Sequence, residues 1–243
     1  RWDGMTEDER AMSVCAIIVA AGVGSRMGGP INKHLLLIGG KPVLAHTLSA
    51  FQTSPVIDDI VLVGGHDRLA AYRDIVSAYG VTKVRAIVRG GASRQESCAR
   101  GLAAAGDVEI ICVHDGARPL VSQSVIAEAV REARQHGAAV VAVPAKDTIK
   151  VATADGFVRE TLDRASLWQI QTPQVFRAGL LRQAHAAAHG VFEGTDDAVL
   201  VEHMGQPVKL VRGAYSNIKI TTAEDLAVAE ALLQQMQREE THT

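Results

Sequence analysis

Aromatic residues are scarce in this sequence: Phe, Trp and Tyr make up 4% of 243 residues. Without aromatic bulk, a core has to come from Ala, Val, Leu and Ile, as in α/β proteins whose strands are buried on both faces. Cysteine is equally sparse. Cys15, Cys98 and Cys112 lie in apolar or helical contexts and form no CxxC pair. That excludes a disulfide framework and predicts three buried thiols in a reducing compartment. No apolar run reaches membrane-spanning length, because glycine or charge interrupts each one. No long basic tract occurs and the formal net charge is -2, so nothing supports a nucleic-acid groove or binding to an anionic membrane. The nine histidines form no HxH or HExxH spacing, which argues against zinc, and no G-x-S-x-G elbow is present. The opening "RWDGMTEDER" is polar and lacks a signal-peptide h-region. Residues 1–11 are expected to be a disordered or non-native extension, with Met5 and Met12 as candidate starts. The cytoplasm is the predicted location.

Hydrophobic residues supply 47% of the chain and charged residues 21%, enough for one sizeable domain over 13–243. "SVCAIIVAA" (13–21) reads as a buried strand ending at Gly22. Pro42 suits a first helical turn, followed by a stripe of Val43, Leu44, Leu48 and Phe51. Strand and helix patterns then alternate: strand 56–65, helix 67–80, strand 84–91, a helix opened by the Ser93/Glu96 capping box, strand 108–119, helix 124–137 and strand 138–145. This alternation predicts an α/β fold, a mostly parallel, Rossmann-like sheet in three layers. The pattern breaks at 147–164, where two β-prone pieces flank Ala154-Asp155-Gly156 and predict a protruding hairpin. Helices are expected near 177–189 and 196–204, and a strand at 208–213. Thr221 and Glu224 have the spacing of a second capping box before the last helix.

"AAGVGSRMGGPINKHLLLIGGKP" (20–42) is glycine-rich and follows the first strand. It is not a dinucleotide fingerprint: Gly22 and Gly24 fill the first two places of G-x-G-x-x-G, but Met27 occupies the third. It is not a P-loop either, because Lys33 stands between Asn32 and His34. The physical content remains. Gly22, Gly24, Gly28 and Gly29 let the backbone bend close to a ligand, and exposed N–H groups can cradle phosphate oxygens. Arg26 and Lys33 add two cations, which suits a triphosphate. A second cluster is "HDGARP", where Asp115 directly follows a strand and could hold Mg²⁺ together with phosphate oxygens. His114 reads as a structural histidine. A third is "RGGASRQES", where backbone groups could read a base edge.

Six blocks in order, "AAGVGSRMG…NK", "GGASRQES", "HDGARPLV", "LDRASLWQIQTPQVF", "GTDDAVLVE" and "NIKITTAEDLAVAE", resemble the 2-C-methyl-D-erythritol 4-phosphate cytidylyltransferase family over residues 13–235. The resemblance implies a nucleotide-diphospho-sugar transferase type of fold. It implies a homodimer formed through a β-arm, here 147–168, with CTP and Mg²⁺ or another divalent ion as substrate and cofactor. The reaction implied is CMP transfer to methylerythritol phosphate with release of pyrophosphate. Carried over by motif, Arg26 and Lys33 would grip the CTP phosphates, and Ala20, Ala21, Gly22 and Gly24 would bind nucleotide. Gly91, Ala92 and Ser97 would meet the cytosine, and Asp115 the metal. Arg164 and Thr172, from the arm and its base, would reach the sugar phosphate of the neighbouring subunit, and Thr195 and Lys219 match substrate-side groups of the main domain; Arg164 and Lys219 also count as catalytic. The family commonly has proline before the loop lysine and glutamine after it, where this chain has Asn32 and His34. Ala92 stands where an acidic residue can occur. Two alternatives remain: a ribitol- or glycerol-phosphate cytidylyltransferase, and a nucleotide-binding regulatory protein without turnover.

Overall fold

The computed structural model describes residues 13–22 and 32–241. In chain order they form β1 (Val14–Ala20), a short β2–β3 ladder (Leu37–Ile38, Lys41–Pro42), α1 (Val43–Thr53), β4 (Asp59–Gly64), α2 (Leu69–Ala78), β5 (Val84–Arg89), α3 (Arg94–Ala104) and β6 (Ile110–Asp115). The second half forms α4 (Gln123–His136), β7 (Ala138–Pro144), a β8–β9 hairpin (Lys150–Ala152, Val158–Thr161), β10 (Trp168–Arg177), α5 (Ala178–Ala188), α6 (Asp197–His203), β11 (Lys209–Arg212) and α7 (Ala223–Thr241).

Seven strands make one sheet in the order β11-β7-β10-β6-β1-β4-β5. All are parallel except β10, which runs antiparallel between β6 and β7. The period-2 arrangement of side chains explains how one sheet builds two cores. Along β1, Val14, Ala16, Ile18 and Ala20 join the cluster that packs under α1, α2 and α4. Cys15 and Ile17 join the opposite cluster, under α3, α5 and α6. The result is the expected three-layer α/β fold, with both faces of the central strands buried. Each fully buried Leu, Ile or Phe contributes about 1.5–3 kcal/mol, so the few aromatics are no handicap. All three cysteines are buried and free, as expected. α7 closes a third, smaller cluster over Ile38, Val43, Leu120 and Ile220. Among the described residues, no helix is long and apolar enough to cross a membrane.

Two local readings need correction. Pro42 has φ -55° and ψ 140° and lies just outside α1, which starts at Val43. The last helix is capped one residue later than Thr221/Glu224 suggested: Asp225 N–H donates to Thr222 Oγ1 at 3.2 Å. The Asp225 carboxylate in return accepts from Thr221 and Thr222 N–H at 2.7 and 2.9 Å. With two threonines followed by two acids, either register satisfies the pattern; the shorter aspartate settles it.

The order of connection positions the site. The chain lays β4 and β5 on one side of β1, then returns to place β6 on the other. Ligands of open α/β sheets bind at such a reversal, outside the carboxyl ends of the strands. Ala21 and Gly22 after β1, Gly90 and Gly91 after β5, and Asp115 ending β6 gather there.

Candidate active site

A cavity of about 290 Å³ opens at this edge. Ala21, Gly22 and Lys33 line one side, Gly91, Ala92 and Ser97 another, and Asp115 and Lys219 face them. Of the residues singled out by sequence, these eight come together. Ala20 lies fully buried just behind, at the end of β1. Gly24 and Arg26, like the extension at 1–11, lie outside the described residues. Arg164 is exposed at the root of the hairpin, where it donates to Lys146 O at 2.7 Å, and Thr195 is exposed between α5 and α6. Neither lines the cavity.

The loop after β5 needs its glycines. A Cβ on Gly90 would stand 2.4 Å from Ala21 Cβ and 2.9 Å from Ser97 Oγ, so only glycine lets this loop lie against the end of β1. Ser97 holds the loop from inside: its hydroxyl accepts from Gly91 N–H at 3.0 Å and donates to Ser93 O at 2.8 Å. Half of the predicted capping box forms, with Glu96 N–H donating to Ser93 Oγ at 3.1 Å. The Glu96 carboxylate reaches past the cap and accepts from Ala92 N–H at 2.7 Å.

Asp115 is the electrostatic centre. Its carboxylate meets Lys219 Nζ at 2.8 Å, Arg94 Nε at 3.6 Å and Arg118 Nε at 3.8 Å. Burial by itself would raise its pKa; Lys219 and then Arg94 outweigh burial and hold the carboxyl well below the usual carboxylate range. Thr172 lies beneath. Its hydroxyl accepts from Asp115 N–H at 3.1 Å and lies 3.0 Å from His114 Nδ1, to which it donates because the Arg118 carbonyl on the other side of the ring can only accept. His114 then carries its proton on Nε2 and donates to Arg118 O at 3.1 Å. Burial pushes this histidine down to about 4, and with both ring nitrogens bonded it is the structural histidine expected.

Sequence reasoning passed over Arg94 as a working residue. It bridges Asp115 to a second acid, Asp197, donating to Asp197 Oδ2 at 2.6 Å. The other oxygen of Asp197 accepts from His185 Nε2 at 3.0 Å, and the carboxylate is buried. The only sequence signal was the position of Arg94, one residue after the N-cap in "GGASRQES".

His34 was also missed as a participant. It is buried beside Lys33 and lines the same cavity. Burial first, then the neighbouring charges of Lys33, Arg68 and Lys219, lower its pKa to about 3, with Asp115 opposing them. In the unfolded chain a histidine takes up a proton near pH 6.5, while here it stays neutral. The unfolded state therefore binds more protons below that value, and the stability His34 contributes is lost as pH falls from 6.5 towards 3. Between pH 6.5 and 5 the expected loss is about 2 kcal/mol. Urea unfolding of wild type and His34→Gln at both pH values tests this. The variant should be less acid-sensitive, and identical pH profiles would refute the assignment.

Residues 14–235 match the sequence profile of the family described as 2-C-methyl-D-erythritol 4-phosphate cytidylyltransferase. The chain belongs to that family. A cytidylyltransferase of this name from Geobacter metallireducens is 48% identical over 230 residues, covering 92% of this chain and 99% of the relative. One from Dehalococcoides mccartyi is 50% identical over 220 residues, covering 90% and 96%. Among solved structures, the 4-diphosphocytidyl-2C-methyl-D-erythritol synthase of Anaerococcus prevotii superposes with a TM-score of 0.81 at 36% identity, covering 91% of this chain and 96% of its own. The Thermus thermophilus cytidylyltransferase gives 0.75 at 34% identity, covering 92% and 100%. The present cytidylyltransferase is thus an enzyme, a nucleotidyltransferase of isoprenoid-precursor biosynthesis.

Proposed function

We propose that the residues around the cavity carry out CMP transfer from CTP to 2-C-methyl-D-erythritol 4-phosphate as follows. The observation that carries this reading is the convergence of Lys33, Lys219 and ionised Asp115 with two backbone loops at one end of the sheet. The backbone of Ala20, Ala21, Gly22 and Gly24 binds nucleotide, and Gly91, Ala92 and Ser97 form the wall for the cytosine. Lys33, with Arg26, grips the triphosphate.

A phosphate oxygen of the sugar phosphate forms a bond to the α-phosphorus of CTP as the bond to pyrophosphate breaks. The nucleophile is already anionic near neutral pH, so no strong base is needed. The obstacle is an anion approaching a polyanion, and fixed cations remove it by neutralising charge and aligning the reactants. Lys219 stands between Asp115 and the incoming phosphates and lends charge near the α-phosphate. Arg164 and Thr195 serve the sugar phosphate, Arg164 from the arm and Thr195 ahead of α6, and Thr172 at the base of the arm supports its binding from beneath by holding Asp115 N–H.

Asp115 fits a hard divalent ion such as Mg²⁺. It offers one ionised carboxylate on the cavity wall, and the triphosphate and water can supply the other oxygens. Such an ion, when bound, neutralises phosphate charge as a Lewis acid. The enzyme works as a homodimer through the β8–β9 arm. In support, every residue of β9 is exposed, and Phe157 and Val158 present 70% and 62% of their surface. Phosphorylated substrates and three reduced, buried thiols fit the cytoplasm.

Pyrophosphate release with CTP and each of three acceptors tests the reading. Methylerythritol phosphate should support turnover, and ribitol or glycerol phosphate should not. Equal rates with a polyol phosphate would overturn the acceptor assignment, and no release with any acceptor would indicate a nucleotide-binding protein without turnover.

A further inference from the structure

Lys33 sits in a turn whose neighbours do more than fill space. On one side, Asn32 O accepts from Leu35 N–H at 2.9 Å, closing the turn, and Asn32 Oδ1 accepts from His34 N–H at 3.2 Å. On the other, His34 O accepts from Leu44 N–H at 3.0 Å, fixing the turn to the start of α1. The imidazole then reaches away from the turn. Its Nδ1 lies 3.1 Å from the hydroxyl of Tyr72 on α2 and 3.2 Å from Asn32 Oδ1. Tyr72 in turn donates its proton to Ala20 O, the last residue of β1, at 3.1 Å. That leaves the Tyr72 oxygen to accept, so the proton of His34 resides on Nδ1 and is shared between the phenol and Asn32.

The chain of bonds runs from the Lys33 turn, through two buried rings in edge-to-face contact 6.1 Å apart, to the end of β1. Arg68 extends it by donating to Gly22 O at 2.9 Å. The turn after Asp115 presses on the same ring: a Cβ on Gly116 would stand 3.4 Å from His34 Cδ2 and 2.9 Å from Ala20 Cβ. The Lys33 turn, the end of β1 and the turn after β6 therefore converge on the His34–Tyr72 pair.

We propose that His34 and Tyr72 are positioning residues for CMP transfer. Together they hold the Lys33 turn against the carboxyl end of β1, so that the lysine charge and the nucleotide-binding backbone of Ala20, Ala21 and Gly22 keep a fixed spacing. The proposal rests on the reading that Lys33 meets the CTP phosphates. Its physical basis is that a charge stabilises a transition state without reorganisation only when it is held in place beforehand. Small displacements are costly, since a misplacement of about 1 Å can reduce rate about 100-fold.

Neither residue needs to touch substrate, so the test must separate positioning from general support of the fold. Steady-state kinetics would be measured for wild type, Tyr72→Phe, His34→Ala, His34→Gln and Lys33→Ala, and for Tyr72→Phe and His34→Ala in the Lys33→Ala background, with thermal melts of each. Tyr72→Phe keeps the ring and its packing and removes only the hydroxyl, so it serves if His34→Ala folds poorly. Tyr72→Phe and His34→Ala should each lower kcat roughly tenfold, with a smaller change in KM for CTP. His34→Gln, whose amide can still donate to the phenol, should recover most of that loss. In the Lys33→Ala background both effects should shrink to under about twofold, because the brace acts through the lysine.

A tenfold loss of the same size with and without Lys33 would overturn the proposal, since that is how a purely structural role behaves. Full activity of Tyr72→Phe and His34→Ala beside an impaired Lys33→Ala would overturn it too, leaving the role of Lys33 standing. Near-normal turnover of Lys33→Ala would instead overturn the reading of the lysine, and the brace with it.

Discussion

Lys33→Ala is expected to lower kcat for CMP transfer about 100-fold and to leave the fold nearly as stable as before. Lys33 lies in a turn at the cavity edge and is half-buried, outside the three apolar clusters. Truncating a side chain in such a place usually changes stability by about 0.5 kcal/mol or less. Its chemical role differs. Negative charge grows on the bridging and non-bridging oxygens as pyrophosphate departs, and removing one preorganised donor from such charge costs about 3 kcal/mol of transition-state stabilisation. That corresponds to roughly two decades in rate. Because the contact strengthens in the transition state, kcat should fall more than KM for CTP rises. Steady-state kinetics with both substrates, beside a thermal melt, decide the matter. Turnover within a few-fold of wild type would remove Lys33 from the mechanism, and a large fall in melting temperature would show that the lysine serves the fold.

The fold was legible where period and punctuation agree. β1 reads as a strand because its apolar run is strand-length and stops at Gly22, and α3 reads as a helix because Ser93 and Glu96 bracket its first turn. The insertion of β10 antiparallel between β6 and β7 was not legible, because an apolar run carries no mark of its partner or direction. The site divides in the same way. Lys33, Gly91, Asp115 and Lys219 stood out because each sits in a short polar block next to a strand or turn. Arg94 and Asp197 are 103 residues apart, and His34 and Tyr72 are 38 apart. Nothing periodic links such pairs; only the folded chain brings the start of α3 to the start of α6, and Tyr72 of α2 to the end of β1. Arg164 and Thr195 lie on exposed segments outside the cavity lining of this chain, and for Arg164 the motif points to the substrate of a neighbouring subunit.

Arg94→Met should destabilise the enzyme by about 3 kcal/mol, at the lower end of what breaking a buried ion pair costs. The guanidinium is the link between two carboxylates, and the change affects them unequally. Asp115 keeps Lys219 at 2.8 Å and Arg118 at 3.8 Å. Asp197 keeps the hydrogen bond from His185 and the weaker one from the Cys98 thiol, neither of which brings a fixed positive charge, and its side chain is 1% exposed. An ionised acid so placed loses most of its compensation while its burial stays the same. Burial raises the pKa of Asp197, and Arg94 is the first of the groups that bring it back below the usual range. A carboxyl with a depressed folded pKa contributes stability above its unfolded value, near 3.8, and that contribution disappears as pH falls through the folded value. Without Arg94 the largest cause of that depression is lost, so the deficit of Arg94→Met should be greatest near neutrality and should narrow on acidification. Adding Asp197→Asn, which retains an oxygen for His185 but removes the charge, should restore part of the loss at pH 7. Urea unfolding of the two single variants and the double variant at neutral and acid pH gives the coupling directly. If the double variant is no more stable than Arg94→Met at pH 7, then the unpaired charge of Asp197 is not what destabilises it, and lost packing of the arginine stem would be the better account.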